Sequence, residues 1–366
     1  MRVIFTTFFS LCLFTISVQG ATFNVTNLND SGDGSLRQAM LDAVANGTTE
    51  IDIITIDVPG VINLTTATSP GFNLLPNIEN VIIQGNAGGN RLVRGVSVFG
   101  RFFQITDCQV KNIVFDGGNS ILTGGALFVD GTNTLDSCLF INNIAGSNAH
   151  SDGIDRTGMG SGGALVLRDV GNGGNLTINS CTFTANTAQN GAAIRIFSGT
   201  TININNSTFN ENIVDAGVSI SQSTIYNDGT ANIENNIFSN TMPEGTPDWY
   251  DTGNTIELNI NNLVEICAGP GCEIVEEQGG FAFTEDPQLG PLQDNGQGVP
   301  SFAIAPTSPL IEFNIGTFPE GDEVMPNRGA ESVPSMSTWS KGFFILLLLG
   351  IGSFLLFSNK GSLRTN

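Results

Sequence analysis

Short runs in the middle of the chain alternate apolar and polar positions, and the runs recur. In Leu176-Thr177-Ile178 the outer residues are apolar and the middle one is polar, the two-residue period of a half-buried strand. Turn formers such as Asn179-Ser180 and Asn205-Asn206 end these runs after three to five residues. A Phe follows each break, at 115, 140, 183, 209 and 238, with spacings of 25, 43, 26 and 29. Five residues before each Phe stands an apolar residue: Val110, Leu135, Ile178, Ile204 and Ile233. Two before it stands a small or tolerant one: Ile113, Cys138, Cys181, Ser207 and Asn236. A self-similar period of this size predicts a solenoid, in which each residue stacks on its equivalent one rung away.

Three cassettes sharpen the register. Gly124-Gly125-Ala126-Leu127 precedes Phe140-Ile141-Asn142-Asn143, and Gly162-Gly163-Ala164-Leu165 precedes Phe183-Thr184-Ala185-Asn186. Gly191-Ala192-Ala193-Ile194 precedes Phe209-Asn210-Glu211-Asn212. A coil of about 25 residues made of short strands and turns fits one rung of a parallel β-helix, with rungs about 4.8 Å apart. Phe then stacks on Phe. Asn143, Asn186 and Asn212 are expected at a turn, in the left-handed conformation that Asn tolerates. A β-sandwich is the alternative, but its strands do not repeat the same residues at a near-fixed period.

The cassettes and the Phe-x-x-Asn segments resemble the polymorphic outer-membrane protein repeat over residues 110–240. That resemblance implies an all-β, right-handed, single-stranded parallel β-helix of the pectin-lyase-like type. The first segment (Phe115-Asp116-Gly117-Gly118) and the last (Phe238-Ser239-Asn240-Thr241) depart from the pattern, as solenoid ends usually do.

Before the repeat, Ser35 and Gln38 form a capping box. Leu36, Ala39, Met40, Ala43 and Val44 share one helical face, and Gly47 can end the helix. A short capping helix near 35–46 would cover the open first rung. The segment Phe23–Met40 also resembles the opening of secreted β-helix proteins. Ile51–Ile56 and Val81–Gln84 read as early rungs. Residues 144–161 interrupt the repeat as a polar, Gly-rich loop. After a helix body of 21–265, residues 266–332 read as a C-terminal cap. Its marks, Asp286-Pro287-Gln288-Leu289-Gly290 and Ser308-Pro309-Leu310-Ile311, resemble the closing module of the same secreted proteins.

Both ends carry addresses. Residues 1–20 have one charge, Arg2, an apolar stretch and Val18-Gln19-Gly20 before Ala21, the form of a signal peptide. A membrane anchor is the alternative. Residues 342–357 are uncharged and apolar, with Lys341 before and Lys360 and Arg364 after. Sixteen residues make about 24 Å of helix, and Trp339 and the Lys341 stem can extend it at the interface. Just before it, Val333-Pro334-Ser335-Met336-Ser337-Thr338-Trp339 resembles the IPTL-type C-terminal sorting signal of exosortase substrates. Ser335 and Thr338 replace the usual Thr and Glu. The resemblance implies a Gram-negative envelope protein whose 333–366 tail is recognised by a sorting protease and cut near Pro334. A permanent single-span anchor is the alternative.

Charge narrows the partners. Residues 21–334 carry 9 basic and 34 acidic residues, which disfavours nucleic acid and anionic lipid. Cys267 and Cys272 flank Ala-Gly-Pro-Gly in a chain bound for an oxidising compartment, so a loop disulfide is expected. Cys138 and Cys181 share a column and either stack as small hydrophobes or bridge. The best acid–base group is His150, Asp152, Asp155 and Arg156, on the Gly-rich loop; scattered solvated charge is the competing reading. No triad order, phosphate loop or zinc spacing occurs, so no catalytic residue, metal or cofactor is assigned. Two functions remain: a non-enzymatic surface solenoid, adhesin or matrix component meeting polysaccharide or a neighbouring cell, or a secreted polysaccharide lyase or glycoside hydrolase on the same fold.

Overall fold

The computed structural model describes residues 20–310 except 48–49, 69–71, 147–159, 172, 216–221, 254–255, 261, 273–285, 297 and 309. They belong to the first of two units, 1–320; the second, 321–366, lies outside the described residues. So do the leader 1–19, the sorting motif Val333–Trp339 and the apolar stretch 342–357. No helix among the described residues is long and apolar enough to cross a membrane.

The first unit is a parallel β-helix. A typical rung begins with Ile194–Ile196 on what we call the cassette sheet. It continues through Thr200–Asn205 on a second sheet and Thr208–Asn210 on a third, the phenylalanine sheet. A two-residue ladder, Ile213–Val214, closes it. Each strand pairs in parallel with its equivalent in the next rung, and the expected columns are all in register. Phe140 sits opposite Phe115 and Phe183, and Phe209 opposite Phe183 and Phe238. Leu135, Ile178, Ile204 and Ile233 form the next column inward.

The five rings stack with centroids 4.6–4.8 Å apart. All are fully buried. Trp249 ends the column edge-on against Phe238, and Phe102 and Phe103 tilt against Phe115 at its other end.

The cassette glycines have two separate jobs. Gly124, Gly162 and Gly191 take positive φ of 59°, 66° and 67°. At Gly125 and Gly163 a Cβ would lie 2.0 Å from the carbonyl oxygen of the next rung. The first glycine turns the chain, and the second lets the rungs close on each other.

The turns correct one expectation. Asn143, Asn186 and Asn212 are not left-handed. The residue before each is: Asn142, Ala185 and Glu211, at φ 57°, 52° and 55°. The column Asn residues are fully buried and bond along the axis. Asn186 Nδ2 donates to Phe140 O (2.9 Å) and Asn212 Oδ1 (3.0 Å), and Asn186 Oδ1 accepts from the Asn143 amide groups. Such a ladder satisfies backbone groups at a corner where sheet pairing stops. A second ladder runs at the other corner through Ser207, Asn236 and Asn262. Cys138 and Cys181 continue it, with Cys181 Sγ accepting from Cys138 N at 3.4 Å. Both thiols are free, so the bridge alternative does not form.

At the start, Thr22–Val25 pairs with Asp52–Ile56, and the helix Leu36–Asn46 packs against both strands. Ser35 accepts from Gln38 N, but the capping box is only half made. Gln38 Nε2 bonds Asp42, and Ser35 N donates to Gly32 O. Leu36, Ala39, Met40 and Ala43 are buried, whereas Val44 is 54% exposed.

The described part of the closing segment lies along the side of the solenoid. Leu289–Gln293 and Ser301–Ile304 form an antiparallel hairpin. Its Leu289 and Ile304, with Leu310, pack on Ile237 and Leu263. Its Leu292 and Val299 pack on Val114 and Leu139. Its turn reaches Ala87–Gly89, beside the strand Asn90–Arg94. The hairpin therefore straps the outer face of the phenylalanine sheet across seven consecutive strands, about 29 Å at the usual strand spacing. The polar loop is also shorter than expected. Ile144–Ala145 is a paired strand and Ser161 is back on a ladder, leaving 147–159 outside the described residues.

Candidate ligand-binding face

With the phenylalanine sheet under its strap, the cassette sheet is the face with the most distinctive surface. Along it the inward residues are Leu127, Leu165, Ile194, Ile225 and Trp249. The outward residues between them therefore stack in their own column: Phe128, Val166, Arg195, Tyr226 and Tyr250. An aromatic and cationic row results from strand alternation alone.

The row is tightly coupled. The Arg195 guanidinium lies 3.9 Å from the Tyr226 ring centroid and 4.4 Å from that of Phe197. It is ion-paired with Asp228 and donates to Ile196 O. Tyr226 and Tyr250 sit 5.2 Å apart with rings tilted by 33°. Arg168, exposed, lies 5.4 Å over Phe197. At the other end of the row Arg101 lies 5.2 Å over Phe128. Cation–π contacts of this kind hold both partners in place, and aromatic rings beside polar groups make a platform for a sugar's apolar face. Scarcity of basic residues hid this in the sequence. Arg168 and Arg195 are far apart along the chain, and only the register puts them together. The legible signal was the position after each cassette Leu or Ile, which points outward.

The second sheet presents a plain polar array instead. Asn232 bonds Asn203 at 3.0 Å and Asn205 bonds Asn179 at 3.0 Å along its outer surface.

A third region is an acidic recess of about 670 Å³ near the last rungs, lined by Glu244, Glu265 and Asp286 among others. Behind it Asp248 is buried and accepts from Thr241 Oγ1 and from the backbone N–H of Glu265 and Ile266. Burial pushes the Asp248 carboxyl up to about 6 against those hydrogen bonds, and burial also raises Glu265. Asp248 thus ties the loop before it to the last rung.

Cys267 and Cys272 are joined by a disulfide, with Cα atoms 5.9 Å apart. It closes the turn after the last cassette-sheet strand. His150, Asp152, Asp155 and Arg156 lie outside the described residues. No set of three or more His, Cys, Asp or Glu among the described residues is arranged to hold a metal ion. No family model matches the chain, and no curated protein matches it.

Proposed function

We propose that the chain is a non-enzymatic β-helix protein displayed at the cell envelope, an adhesin or matrix component that makes contact through its cassette sheet. The observation that carries this reading is the adjacent pair Tyr226 and Tyr250, next to the nearly buried Arg195 and held in register by the strands beneath them. It stands out on a chain of net charge −21. Acidic surface keeps such a protein dispersed and away from anionic partners; a local aromatic and cationic row is where a glycan can dock. The leader and the tail at 333–366 support export and C-terminal processing by a sorting protease in a Gram-negative host.

Two measurements test this reading. Intact mass of protein from the native host should start near Ala21 and end near Pro334; a chain retaining 342–357 at the surface would favour a permanent anchor. Glycan-array binding should fall when Tyr226 and Tyr250 are both changed to Ala, with the fold intact by circular dichroism.

A polysaccharide lyase or hydrolase is the second reading, favoured by the raised carboxyls of Asp248 and Glu265 at the acidic recess. Release of reducing or unsaturated ends, abolished by Glu265→Gln, would establish it in place of the first.

A further inference from the structure

A recess of about 560 Å³ beside the N-terminal cap is lined by Glu50, Asp52 and Glu79, with Gly47 from the end of the capping helix. No Lys or Arg lines it among the described residues. The last turn of the helix has no basic residue either, so the negative end of its dipole is uncompensated there. Asp52 is the enclosed carboxylate of the three, at 4% exposure. Asn46 Nδ2 donates to both of its oxygens, at 2.9 and 3.1 Å. The Ala21 N–H donates to Oδ1 at 2.7 Å. Both donors are neutral while the chain continues back through Gly20. No Lys or Arg among the described residues pairs with Asp52. A carboxylate taken out of water is costly unless a cation faces it.

We infer that Asp52 is the counter-ion for a new amino terminus: cutting the leader between Gly20 and Ala21 frees the Ala21 nitrogen, and its ammonium pairs with Asp52 to lock the first rung under its cap. The inference rests on residues 1–20 being a cleaved leader and adds what the cut does to the fold. Hydrolysis puts the water oxygen on the Gly20 carboxylate and leaves Ala21 an amine, which is mostly protonated at neutral pH. The N–H already aimed at Asp52 becomes one of three on a charged group, and the contact becomes an ion pair. Glu50 and Glu79 add to the attraction across the recess. The strand so held is the first of the stack. Ala21 O accepts from Ile53 N at 2.8 Å, and Thr22–Val25 pairs with Asp52–Ile56 under the packed helix. Gly20 carries a second consequence. A Cβ there would lie 1.8 Å from Ile51 O, so an uncut chain passes this point only as glycine. The cut removes that constraint.

The test compares the exported chain beginning at Ala21 with the same chain acetylated at its α-amino group, which restores the neutral amide. Acetylation should speed amide exchange of Ile53 on the order of tenfold, while 200–210 stays unchanged. In Asp52→Asn, acetylation should change Ile53 exchange by less than about twofold. Equal exchange with and without acetylation, or the same acetylation effect in Asp52→Asn, would overturn the inference. The first comparison needs no substitution, so it decides even where Asp52→Asn fails to fold. Exported Gly20→Ala should give a mature chain with the mass and thermal midpoint of the wild type, because residue 20 has left. A mature chain that retains the substituted residue would overturn the pair. Amino-terminal sequencing of protein from the native host separates this inference from the leader reading beneath it. A start at Ala21 without an acetylation effect keeps the leader and sinks the Asp52 pair, as does a start at a neighbouring residue. A start at Met1 sinks both.

Discussion

Asn186 shows how much one side chain can carry in this fold. It bonds both neighbouring rungs from a fully buried position. Replacing it with Leu leaves the Phe140 carbonyl and the Asn143 amide without partners in the core. Asn186→Leu should cost about 2–4 kcal/mol, read by urea unfolding; a loss below about 1 kcal/mol would mean the ladder is replaceable. The Asn column was legible in the sequence, but its conformation was not. Asn suits both a left-handed turn and a hydrogen-bonded ladder, and only the structure shows that the preceding residue, even Ala185, takes the turn. Asp248 makes a pH prediction. Its folded pKa of about 6 lies above the ordinary 3.8. Its stabilising contribution is therefore complete below the ordinary value and is lost as pH rises through about 6. From pH 4 to pH 7 the wild type should lose on the order of 2–3 kcal/mol relative to Asp248→Asn. An unchanged gap between the two proteins in urea titrations at both pH values would refute it.

Among the elements, the strap is where sequence and structure part most. The repeat strands were readable because alternation and the Phe register agree. The hairpin lacks that regularity, since Leu289 and Leu292 stand three apart across a register shift, and nothing in its own residues says which surface receives it. That information sits elsewhere, in Val114, Leu139 and Ile237, each just before a column Phe and facing outward. Apolar residues on both sides of a strand mark a sheet covered twice. Thr182 and Thr208 continue that outer row and are buried, at 3% and 1% exposure. The strap should detach as a unit. Val299→Asp places a carboxylate in its packed contact with Val114 and Leu139. Amide exchange should then lose protection across 286–308, while 200–210 stays protected. Equal loss in both regions would show that the strap and the helix unfold together.

For the whole molecule, stability is distributed along the stack, since each rung is held mainly by its neighbours. Phe183 lies at the middle of the ring column, between Phe140 and Phe209. Phe183→Ala should cost about 3–5 kcal/mol through lost burial and the cavity left behind. A near-neutral result in chemical unfolding would contradict the stacked core. The strap changes what tension does to such a stack. Pulled lengthwise, a bare solenoid peels from one end, and each rung yields separately. Here the hairpin runs like a tie rod across seven strands. Peeling the last rungs must also shear Leu289 and Ile304 off Ile237 and Leu263, and the rungs beyond are bound by the same rod. A pulling load is thus shared among many rungs at once. Its failure under load should be a single abrupt rupture at higher force, and cutting the hairpin turn should convert it to a stepwise unzipping.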